Sequence, residues 1–355
     1  MWITSSLPTA HVPTDIALGN FDGVHLGHQT VIRPILPASF CDNDSGLAGD
    51  ASLRQMWDVS ALQGYSDRCV QLLTPCHAES TSPPVQNQPS HSIPTVVTFY
   101  PHPREFFSGQ VRPWLTPLAE KAAFMRYLGV QQLVLLPFNQ ELAHLSSHDF
   151  VEEILFKRLQ ARHLSVGADF RFGHGRSGDA TLLERLAVQR DIQVSVVDLA
   201  RDEGDRISSS QIRQALCTGD VVQAQGLLGR PYQLSGRVIL GQQLGRQLGF
   251  PTANLQVPAD KFLPRTGVYS VQVYGIPQLS PHQALPGVMN IGVRPTVNGQ
   301  KQTIEVHLLN WTGDLYDTTL IVALKGFLRP EQRFDSLEHL KAQIQADCEA
   351  AQAVL

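Results

Sequence analysis

The stretch GNFDGVHLGHQ, residues 19–29, says most about the fold of this chain. An apolar run, Ile16–Leu18, enters it and predicts a short buried strand. Two glycines flank His25, and His28 follows three residues later. This pattern predicts a strand that ends in a tight turn and opens a helix, with His25 and His28 stacked on one face of the first helical turn.

Two imidazoles beside the free N–H groups of a helix N-terminus form a site for a phosphate group. A pair of histidines at this spacing also arises by chance, or as half of a metal site. The Gly-x-His-x-Gly-His context of His25 and His28 favours the phosphate interpretation.

The composition is that of a soluble globular protein with two or three domains, since 355 residues are 43% hydrophobic and 17% charged. A net charge of −4 gives no general basic surface, so we expect no nucleic-acid partner. Five cysteines without a CxxC pair predict free thiols in a reducing compartment. The chain lacks a signal-peptide pattern and an apolar run of membrane-spanning length, so we expect a cytoplasmic location and no membrane partner.

Short apolar strands alternate with amphipathic helices between residues 95 and 197. This alternation predicts an α/β fold, in which helices cover both faces of a parallel sheet. After residue 229 the pattern changes to strands separated by Gly, Pro and Asn, with one long helix over 336–355. Many strands followed by one helix predict a small barrel. We place the domain boundary between 217 and 229, after a helix that begins near Ser210.

Residues 39–91 fit neither pattern, because they are rich in Ser, Pro, Gln, Asp and Asn. The end of this segment is predicted to be disordered, and apolar residues over 53–73 predict one or two helices. We interpret the segment as an insertion between the first helix and the second strand. An inert or disordered insertion is favoured over a lid or an interaction segment.

Two further segments carry candidate phosphate ligands. Residues 173–178 match GxGxxG, but as a late turn they favour a flexible loop near a phosphate over a dinucleotide site. In ISSSQIR, residues 207–213, three serines precede a helix, which an N-cap alone explains. Taken with the two histidines, the serines and Arg213 are better explained as ligands of phosphate oxygens.

A third signal lies among the barrel strands. Residues 245–255, GRQLGFPTANL, are on one interpretation only a glycine-punctuated loop with a Pro turn. On the other, the Thr252 hydroxyl and the Asn254 amide meet a nucleotide phosphate and its Mg²⁺. Glu305 stands on a strand of apolar neighbours, where it either faces outward or is a placed base.

Long motifs in a fixed order carry a family resemblance. GNFDGVHLGHQ, TFYPHPREFF, VGADFRFGHGRSGD and ISSSQIR resemble the adenylyltransferase domain of the bifunctional riboflavin kinase/FMN adenylyltransferases, the prokaryotic FAD synthetases. LGFPTANL, LPRTGVYSV, MNIGVRPTV, IEVHLLNWTGDLYD and FLRPEQRF resemble the riboflavin kinase domain of the same family.

The resemblance implies an α/β Rossmann-like nucleotidyltransferase domain over residues 1–217, a linker over 218–228, and a riboflavin kinase domain over 229–355. The second domain is expected to be a six-stranded antiparallel β-barrel with a C-terminal helix. The implied reactions convert riboflavin and ATP to FMN and ADP, then FMN and ATP to FAD and pyrophosphate. Mg²⁺ is the implied cofactor; riboflavin, FMN and ATP are the implied partners, and the oligomeric state stays open.

The resemblance also assigns roles in adenylyl transfer. The FMN phosphate attacks the α-phosphate of ATP, and His25 and His28 stabilise the charge that develops there. The implied nucleotide-binding residues are Asn20, Phe21, Asp22, Gly23, Ser208, Ser209 and Arg213. The implied flavin-side residues are His102, Pro103, Arg104, Phe106 and Asp169.

For the kinase step, the resemblance makes Glu305 the base that takes the proton from the riboflavin 5′-hydroxyl. Thr252 and Asn254 bind Mg²⁺ and the ATP phosphates. The implied loop residues of this nucleotide site are Gly249 and Pro251. Arg329 is expected to contact the flavin.

Three residues depart from the family pattern without removing a named catalytic group. The family usually has an acidic residue where this chain has Asn310, Phe where it has Trp311, and commonly Gly where it has Asp317. A riboflavin kinase with an inactive or altered adenylyltransferase domain is the enzymatic alternative, motivated by the insertion. A flavin-binding sensor without chemistry is the other alternative, which the intact histidine pair and Glu305 argue against.

Overall fold

The computed structural model describes residues 1–37, 91–198, 200–202, 205–241, 243–280, 282–296 and 299–355. The predicted insertion over 39–91, with its helices over 53–73, therefore lies outside the described residues except for its last position. The described chain divides into two compact units. The first holds 1–37, 91–112 and the described part of 121–207, and the second holds 113–120 with the described residues from 208 onward.

A parallel sheet of six strands organises the first unit, in the order β1-β4-β3-β2-β5-β6. The strands are β1 (Trp2–Thr4), β2 (Thr14–Leu18), β3 (Ile93–Tyr100), β4 (Gln132–Pro137), β5 (Ala161–Gly167) and β6 (Gln193–Val197). Strands β3 and β4 are buried along most of their length without alternation, as expected where both faces are covered. The predicted α/β sheet is thus confirmed.

Helices connect these strands. They are α1 (Leu26–Ile32), α2 (Pro103–Ser108), α3 (Leu118–Tyr127), α4 (Gln140–His144), α5 (Ser147–Asp149), which continues as a π-helix over Phe150–Arg158, and α6 (Ala180–Val188). Leu155, Leu164 and Leu183 are fully buried in one cluster. Each such side chain contributes about 1.5–3 kcal/mol through burial, so these helices are held mainly by the sheet face they cover. A short hairpin, β7 (Arg201–Asp202) and β8 (Asp205–Arg206), follows β6.

The strand order determines where the first unit can bind a ligand. Strand β2 pairs with β3 on one side and with β5 on the other, and all three run parallel. Where connections leave neighbouring parallel strands in opposite directions, a crevice opens at their carboxyl ends. The predicted site segments of this unit follow β2, β3 and β5, so they start from that edge of the sheet.

A closed barrel of six antiparallel strands organises the second unit. Its strands are β9 (Gln233–Ile239), β10 (Ala253–Gln256), β11 (Gly267–Tyr274), β12 (Leu285–Thr296), β13 (Gly299–Leu308) and β14 (Thr319–Arg329). Met289, Ile291, Ile304 and Val306 are almost completely buried on β12 and β13. Their alternation with more exposed neighbours gives the barrel an apolar interior, and the six-stranded barrel prediction is confirmed.

From residue 208 onward, the described residues of the second unit form the helices α7 (Ser209–Thr218), α8 (Val221–Leu228), α9 (Leu244–Leu248) and α10 (Leu337–Val354). The long C-terminal helix α10 packs Cys348 and Ala351 against Val268 and Val288, which confirms the predicted C-terminal helix. Helix α8 occupies most of the segment that the sequence predicts as a linker.

Cys217 and Cys348 are free, in agreement with the prediction, whereas the other three cysteines lie outside the described residues. In the part of the chain that the structure describes, no helix combines the length and apolar character that crossing a membrane requires.

Candidate active sites

The two histidines lie where β2 gives way to α1. His25 is the N-cap of α1, and its Nδ1 accepts a hydrogen bond from the backbone N–H of His28 at 3.3 Å. The two rings stack with centroids 3.6 Å apart and planes 17° apart, which confirms the predicted stacking. Because Nδ1 of His25 is an acceptor, the neutral ring carries its proton on Nε2.

The loop before His25 has a strained backbone. Phe21 and Val24 adopt positive φ angles of 50° and 41°, and Gly23 lies between them at 89°. Bulky residues in this region cost about 1–3 kcal/mol each and persist only where the surroundings hold them, typically at functional sites. The Phe21 side chain is 1% exposed and its ring contacts that of His28 edge-on at 5.3 Å. Phe21, predicted to line the nucleotide site, thus also packs against the ring of His28.

The carbonyl of Asn20 anchors the start of this loop. It accepts hydrogen bonds from Thr98 Oγ1 at 3.0 Å and from Lys121 Nζ at 3.2 Å. Lys121 is 3% exposed, and burial lowers its pKa to about 8, although Asp22 and Glu105 oppose that shift. The sequence interpretation missed Lys121. A charged residue within an apolar helical pattern was the signal for Lys121, but the periodicity of that pattern does not show which residues Lys121 contacts.

The predicted flavin-side segment after β3 forms a capped helix. His102 is the N-cap of α2, and its Nδ1 accepts a hydrogen bond from the Arg104 N–H at 3.0 Å. The Glu105 carboxylate accepts one in return from the His102 N–H at 3.0 Å. Burial lowers the pKa of His102 to about 4, with Asp22 opposing the shift, so the ring is neutral at pH 7. Pro103 occupies the first helical turn, where it needs no hydrogen-bond partner.

An aromatic cluster continues from this helix. The rings of Phe106, Phe107 and Phe138 lie 5.3–5.8 Å from one another. Phe106 is 38% exposed and Phe107 is 72% exposed. The rings meet edge to face, with interplanar angles of 74–77°, and the exposed parts of Phe106 and Phe107 offer apolar surface to a ligand. Phe106 was predicted from the sequence, whereas Phe107 and Phe138 were not.

The segment after β5 carries Asp169 and the GxGxxG pattern. Asp169 Oδ2 forms an ion pair with Arg206 Nη1 at 2.5 Å. Gly173 has a φ of 72°, and a side chain there would meet the Ser147 backbone at 2.5 Å. Gly173 therefore allows a tight turn after the fifth strand. This fits the interpretation of 173–178 as a loop better than a dinucleotide-binding fingerprint.

The ISSSQIR segment begins α7, and from Ser208 onward it belongs to the second unit. Ser208 is the N-cap and accepts a hydrogen bond from the Gln211 N–H, which confirms the capping interpretation. Arg213 Nη2 donates to the Pro113 carbonyl at 2.6 Å, and its guanidinium lies 5.2 Å from the Phe262 ring centroid. The phosphate role of Ser208, Ser209 and Arg213 stays a prediction.

The second site lies on three neighbouring strands of the barrel. Asn254 on β10 pairs directly with Glu305 on β13, which pairs directly with Asn290 on β12. Directly opposed residues have their side chains on one face, about 4.5–5.5 Å apart at Cβ. Ile304 and Val306, on either side of Glu305, are 3% and 1% exposed. Glu305 therefore faces away from the barrel interior, and the structure brings it together with Asn254.

Asn290 is the residue of this row that the sequence interpretation missed. It belongs to the MNIGVRPTV segment, whose strand character was predicted. Its place opposite Glu305 depends on strand register, which a sequence does not give without the pairing partner.

The loop that leads to Asn254 is tightly folded. Helix α9 ends at Gly249, whose φ is 91°, and the Phe250 N–H donates to the Gly245 carbonyl at 2.8 Å. His307 Nδ1 lies 2.8 Å from the Pro251 carbonyl oxygen. These contacts place Thr252 directly before β10. A side chain at Gly241 would stand 2.1 Å from the Asn254 amide, so that glycine makes room for Asn254.

No group of three His, Cys, Asp or Glu side chains in the described parts of the chain is arranged to hold a metal ion. The predicted Mg²⁺ ligands Thr252 and Asn254 are of other residue types, so this finding does not bear on them.

Arg329, predicted to contact the flavin, makes bidentate bonds to Asp347. Its Nε lies 2.9 Å from Oδ1 and its Nη2 lies 2.8 Å from Oδ2. The guanidinium also lies 5.7 Å from the Phe334 ring centroid. Arg329 thereby ties β14 to α10, and its flavin contact stays a prediction.

The backbone explains one of the departures from the family pattern. Asp317 has a φ of 63°, a conformation that glycine adopts freely and that Asp and Asn tolerate better than other residues. At position 317, where the family commonly has glycine, this chain thus has a residue that tolerates the same backbone conformation. Asn310 also has a positive φ, 54°. We find no structural account of Trp311.

Comparison with known proteins supports the assignment of both units. A family model described as riboflavin kinase matches residues 228–355, and one described as FAD synthetase matches residues 7–40 and 85–211. A bifunctional riboflavin kinase/FMN adenylyltransferase from Pseudomonas fluorescens is 41% identical over 95% of this chain and 91% of its own length. The Escherichia coli K12 protein of the same description is 36% identical over 94% of this chain and 90% of its own length.

A solved structure is also similar. It is described as a macrolide-efflux protein from Streptococcus pneumoniae, is 26% identical, and has a TM-score of 0.73 over 99% of this chain and 98% of that one.

The parallel α/β unit with its histidine-bearing loop, the six-stranded barrel with its Asn–Glu pair, and the matches to both families together indicate a nucleotide-dependent transferase. The chain belongs to the bifunctional riboflavin kinase/FMN adenylyltransferase family.

Proposed function

We infer that this chain is a bifunctional enzyme of FAD synthesis. One reaction transfers the γ-phosphoryl group of ATP to riboflavin and gives FMN and ADP. The other transfers AMP from ATP to FMN and gives FAD and pyrophosphate. One observation carries the inference: segments that match both family models occur in one chain, one of them with the stacked His25 and His28 and the other with Glu305 paired to Asn254.

In the kinase step, Glu305 accepts the proton of the riboflavin 5′-hydroxyl while that oxygen bonds to the γ-phosphorus and the bond to ADP breaks. Its position on the outer face of β13, directly opposite Asn254, supports this role. A correctly placed carboxylate base contributes about 10²–10⁴-fold to a rate. The tight loop over Gly249, Pro251 and Thr252 presents the nucleotide phosphates to the same face.

The donor set beside Glu305 fits Mg²⁺. The Thr252 hydroxyl and the Asn254 amide oxygen are hard oxygen donors of the kind that this ion prefers. Thr252 and Asn254 would hold the ion together with the ATP phosphates. When bound, Mg²⁺ neutralises charge on the transferring phosphate oxygens.

In the adenylyl step, a phosphate oxygen of FMN bonds to the α-phosphorus of ATP, and the bond to pyrophosphate breaks. His25 and His28 donate hydrogen bonds to the α-phosphate as its charge develops. Asn20, Phe21, Asp22 and Gly23 form the adjoining nucleotide loop. Its strained backbone is the feature that supports a pre-organised role. Ser208, Ser209 and Arg213 are proposed to hold the pyrophosphate end.

The flavin side of the adenylyl site is proposed to comprise His102, Pro103, Arg104, Phe106 and Asp169. The exposed Phe106 ring supports contact with a planar flavin. Arg329 is the proposed flavin residue of the kinase site. The domain boundaries at 217 and 229 and a cytoplasmic location belong to the same proposal, and the two free thiols fit a reducing compartment.

A product assay tests the function. The purified chain, given riboflavin, ATP and Mg²⁺, should form FMN first and FAD afterwards, as separated by chromatography. Supplying FMN directly should release one pyrophosphate for each FAD. FMN that accumulates without FAD would instead support the alternative of a riboflavin kinase with an inactive or altered adenylyltransferase domain. Binding of riboflavin without either product would support the sensor alternative.

A further inference from the structure

A buried cation lies beneath the loop that carries the proposed adenylyl-transfer site. Lys121 on α3 is 3% exposed, and its Nζ donates to the Asn20 carbonyl at 3.2 Å. Thr98 on β3 donates to the same carbonyl at 3.0 Å. A lysine is almost never fully buried unless it is paired with other groups, so this placement calls for a reason.

The loop above Lys121 needs external support. Phe21, Gly23 and Val24 all have positive φ angles, and only one of them is glycine. The hydrogen bonds to Asn20 fix the start of the loop, and Gln29 Nε2 fixes its end by donating to the Val24 carbonyl at 3.1 Å. The three residues with positive φ angles lie between these anchors, and His25, which caps α1, follows directly after Val24.

Charge also links Lys121 to this loop. Asp22 is 6% exposed, and its charge raises the pKa of Lys121 more than that of Glu105 on α2 does. His102 and Arg112 are the other titratable groups of the cluster, since Lys121 and Arg112 both disfavour protonation of His102. A buried carboxylate next to a polyphosphate would repel it. The positive charge of Lys121, which interacts electrostatically with Asp22, offsets that repulsion.

We propose that Lys121 is a positioning residue for adenylyl transfer, which holds the strained loop through the Asn20 carbonyl and balances the charge of Asp22. This inference rests on the proposed adenylyltransferase function. Lys121 acts through the loop, so it bonds to neither ATP nor FMN. An arginine would keep the charge but change the reach, whereas a methionine keeps the apolar stem and removes both the charge and the donor.

The test compares Lys121→Met and Lys121→Arg with the wild-type chain, with Lys157→Met as a matched control. Lys157 is an exposed lysine of the same unit that pairs with Glu153, so the same chemical change there should leave both activities unchanged. Formation of FAD from FMN is measured as kcat and KM for ATP. Formation of FMN from riboflavin, measured on the same samples, reports that the second unit is folded, and the KM for ATP in FAD formation reports that the first unit still binds its substrate.

Lys121→Met should lower kcat for FAD formation by about a hundredfold, as expected when a reacting group is misplaced by roughly 1 Å. The rate of riboflavin phosphorylation by Lys121→Met should stay within about twofold of wild type, which corresponds to a small change in activation free energy. Lys121→Arg should retain more activity than Lys121→Met, because the positive charge remains.

The pH profile separates positioning from a purely structural role. Because the pKa of Lys121 is about 8, wild-type kcat for FAD formation should fall above that pH as the ammonium loses its proton. In Lys121→Arg the fall should move to higher pH, since arginine stays charged. An unchanged alkaline fall in Lys121→Arg, or FAD formation by Lys121→Met equal to wild type, overturns the inference alone. A wild-type chain that makes no FAD overturns the proposed function and the inference together.

Discussion

Replacement of Glu305 by glutamine tests the chemistry of the barrel most directly. Glu305→Gln keeps the size and shape of the side chain opposite Asn254 and Asn290, but removes the carboxylate that accepts a proton. Glu305 faces away from the apolar barrel interior, in which Ile304 and Val306 on either side of it are buried. The change should therefore alter the free energy of unfolding by no more than about 0.5 kcal/mol, as for ordinary surface substitutions.

The effect on catalysis should be far larger. Loss of a placed general base costs about 10²–10⁴-fold in rate. At about 1.4 kcal/mol for each factor of ten, this is about 3–5.5 kcal/mol of lost transition-state stabilisation. The assay follows FMN formation from riboflavin, with FAD formation from added FMN measured on the same protein. We expect the first rate to collapse and the second to remain at the wild-type value.

The matched control is Glu349→Gln on α10. Glu349 is exposed and accepts a hydrogen bond from Gln345, so its loss should affect neither reaction. Riboflavin phosphorylation by Glu305→Gln within about tenfold of wild type would refute the base assignment, because a general base contributes more than that. Equal loss of both reactions would point to misfolding rather than to chemistry.

Three further predictions concern the other unit and one departure from the family pattern. His28→Ala should lower FAD formation from FMN by about a hundredfold, as for loss of one transition-state hydrogen-bond donor, and leave riboflavin phosphorylation unchanged. The control is His148→Ala, because His148 is exposed. FAD formation by His28→Ala at the wild-type rate would remove His28 from the site. Asp317→Val should destabilise the chain by about 1–2 kcal/mol, because position 317 has a positive φ, whereas Asp317→Gly should not. Urea unfolding measures the stability of both variants, and equal stabilities would contradict this account. The pKa of His102 falls from 6.5 to about 4 on folding, so the unfolded chain binds that proton first and stability is lost as pH drops through this window. His102→Asn keeps a capping side chain and should lose this part of the pH dependence of stability, measured by urea unfolding between pH 7 and pH 5. An unchanged pH dependence in this variant would show that His102 is not its source.

Elements with a strong local pattern could be predicted from the sequence. The β-branched run of β3 and the periodic helix α10 lie close to their predicted positions, because buried strands and amphipathic helices leave repeating apolar signals. Strand β1 has only three residues and pairs with β4, so it left no periodic signal and was not predicted. The π-helix over Phe150–Arg158 was predicted only as a helix.

The candidate sites show the same division. The stacking of His25 and His28 follows from local spacing and was predictable. The row of Asn254, Glu305 and Asn290 joins three strands that are distant along the chain, so it depends on register. Lys121 meets Asn20 across about a hundred residues of chain, a contact that no local pattern encodes.

One feature of the fold bears on whether the two halves of the chain can be separated genetically. Residues 113–120 precede most of the first unit's strands and helices, yet they belong to the second unit. There Glu120 forms a buried ion pair with Lys261 at 2.5 Å, and the Leu115 carbonyl accepts a hydrogen bond from the same ammonium at 2.9 Å. A fragment that begins at 229 would lose α7, α8 and this carboxylate, so the Lys261 ammonium would lose its counter-charge. The described residues of the second unit thus come from two separate stretches of the gene, and a mutation in the earlier stretch would damage the unit that the later stretch mainly encodes.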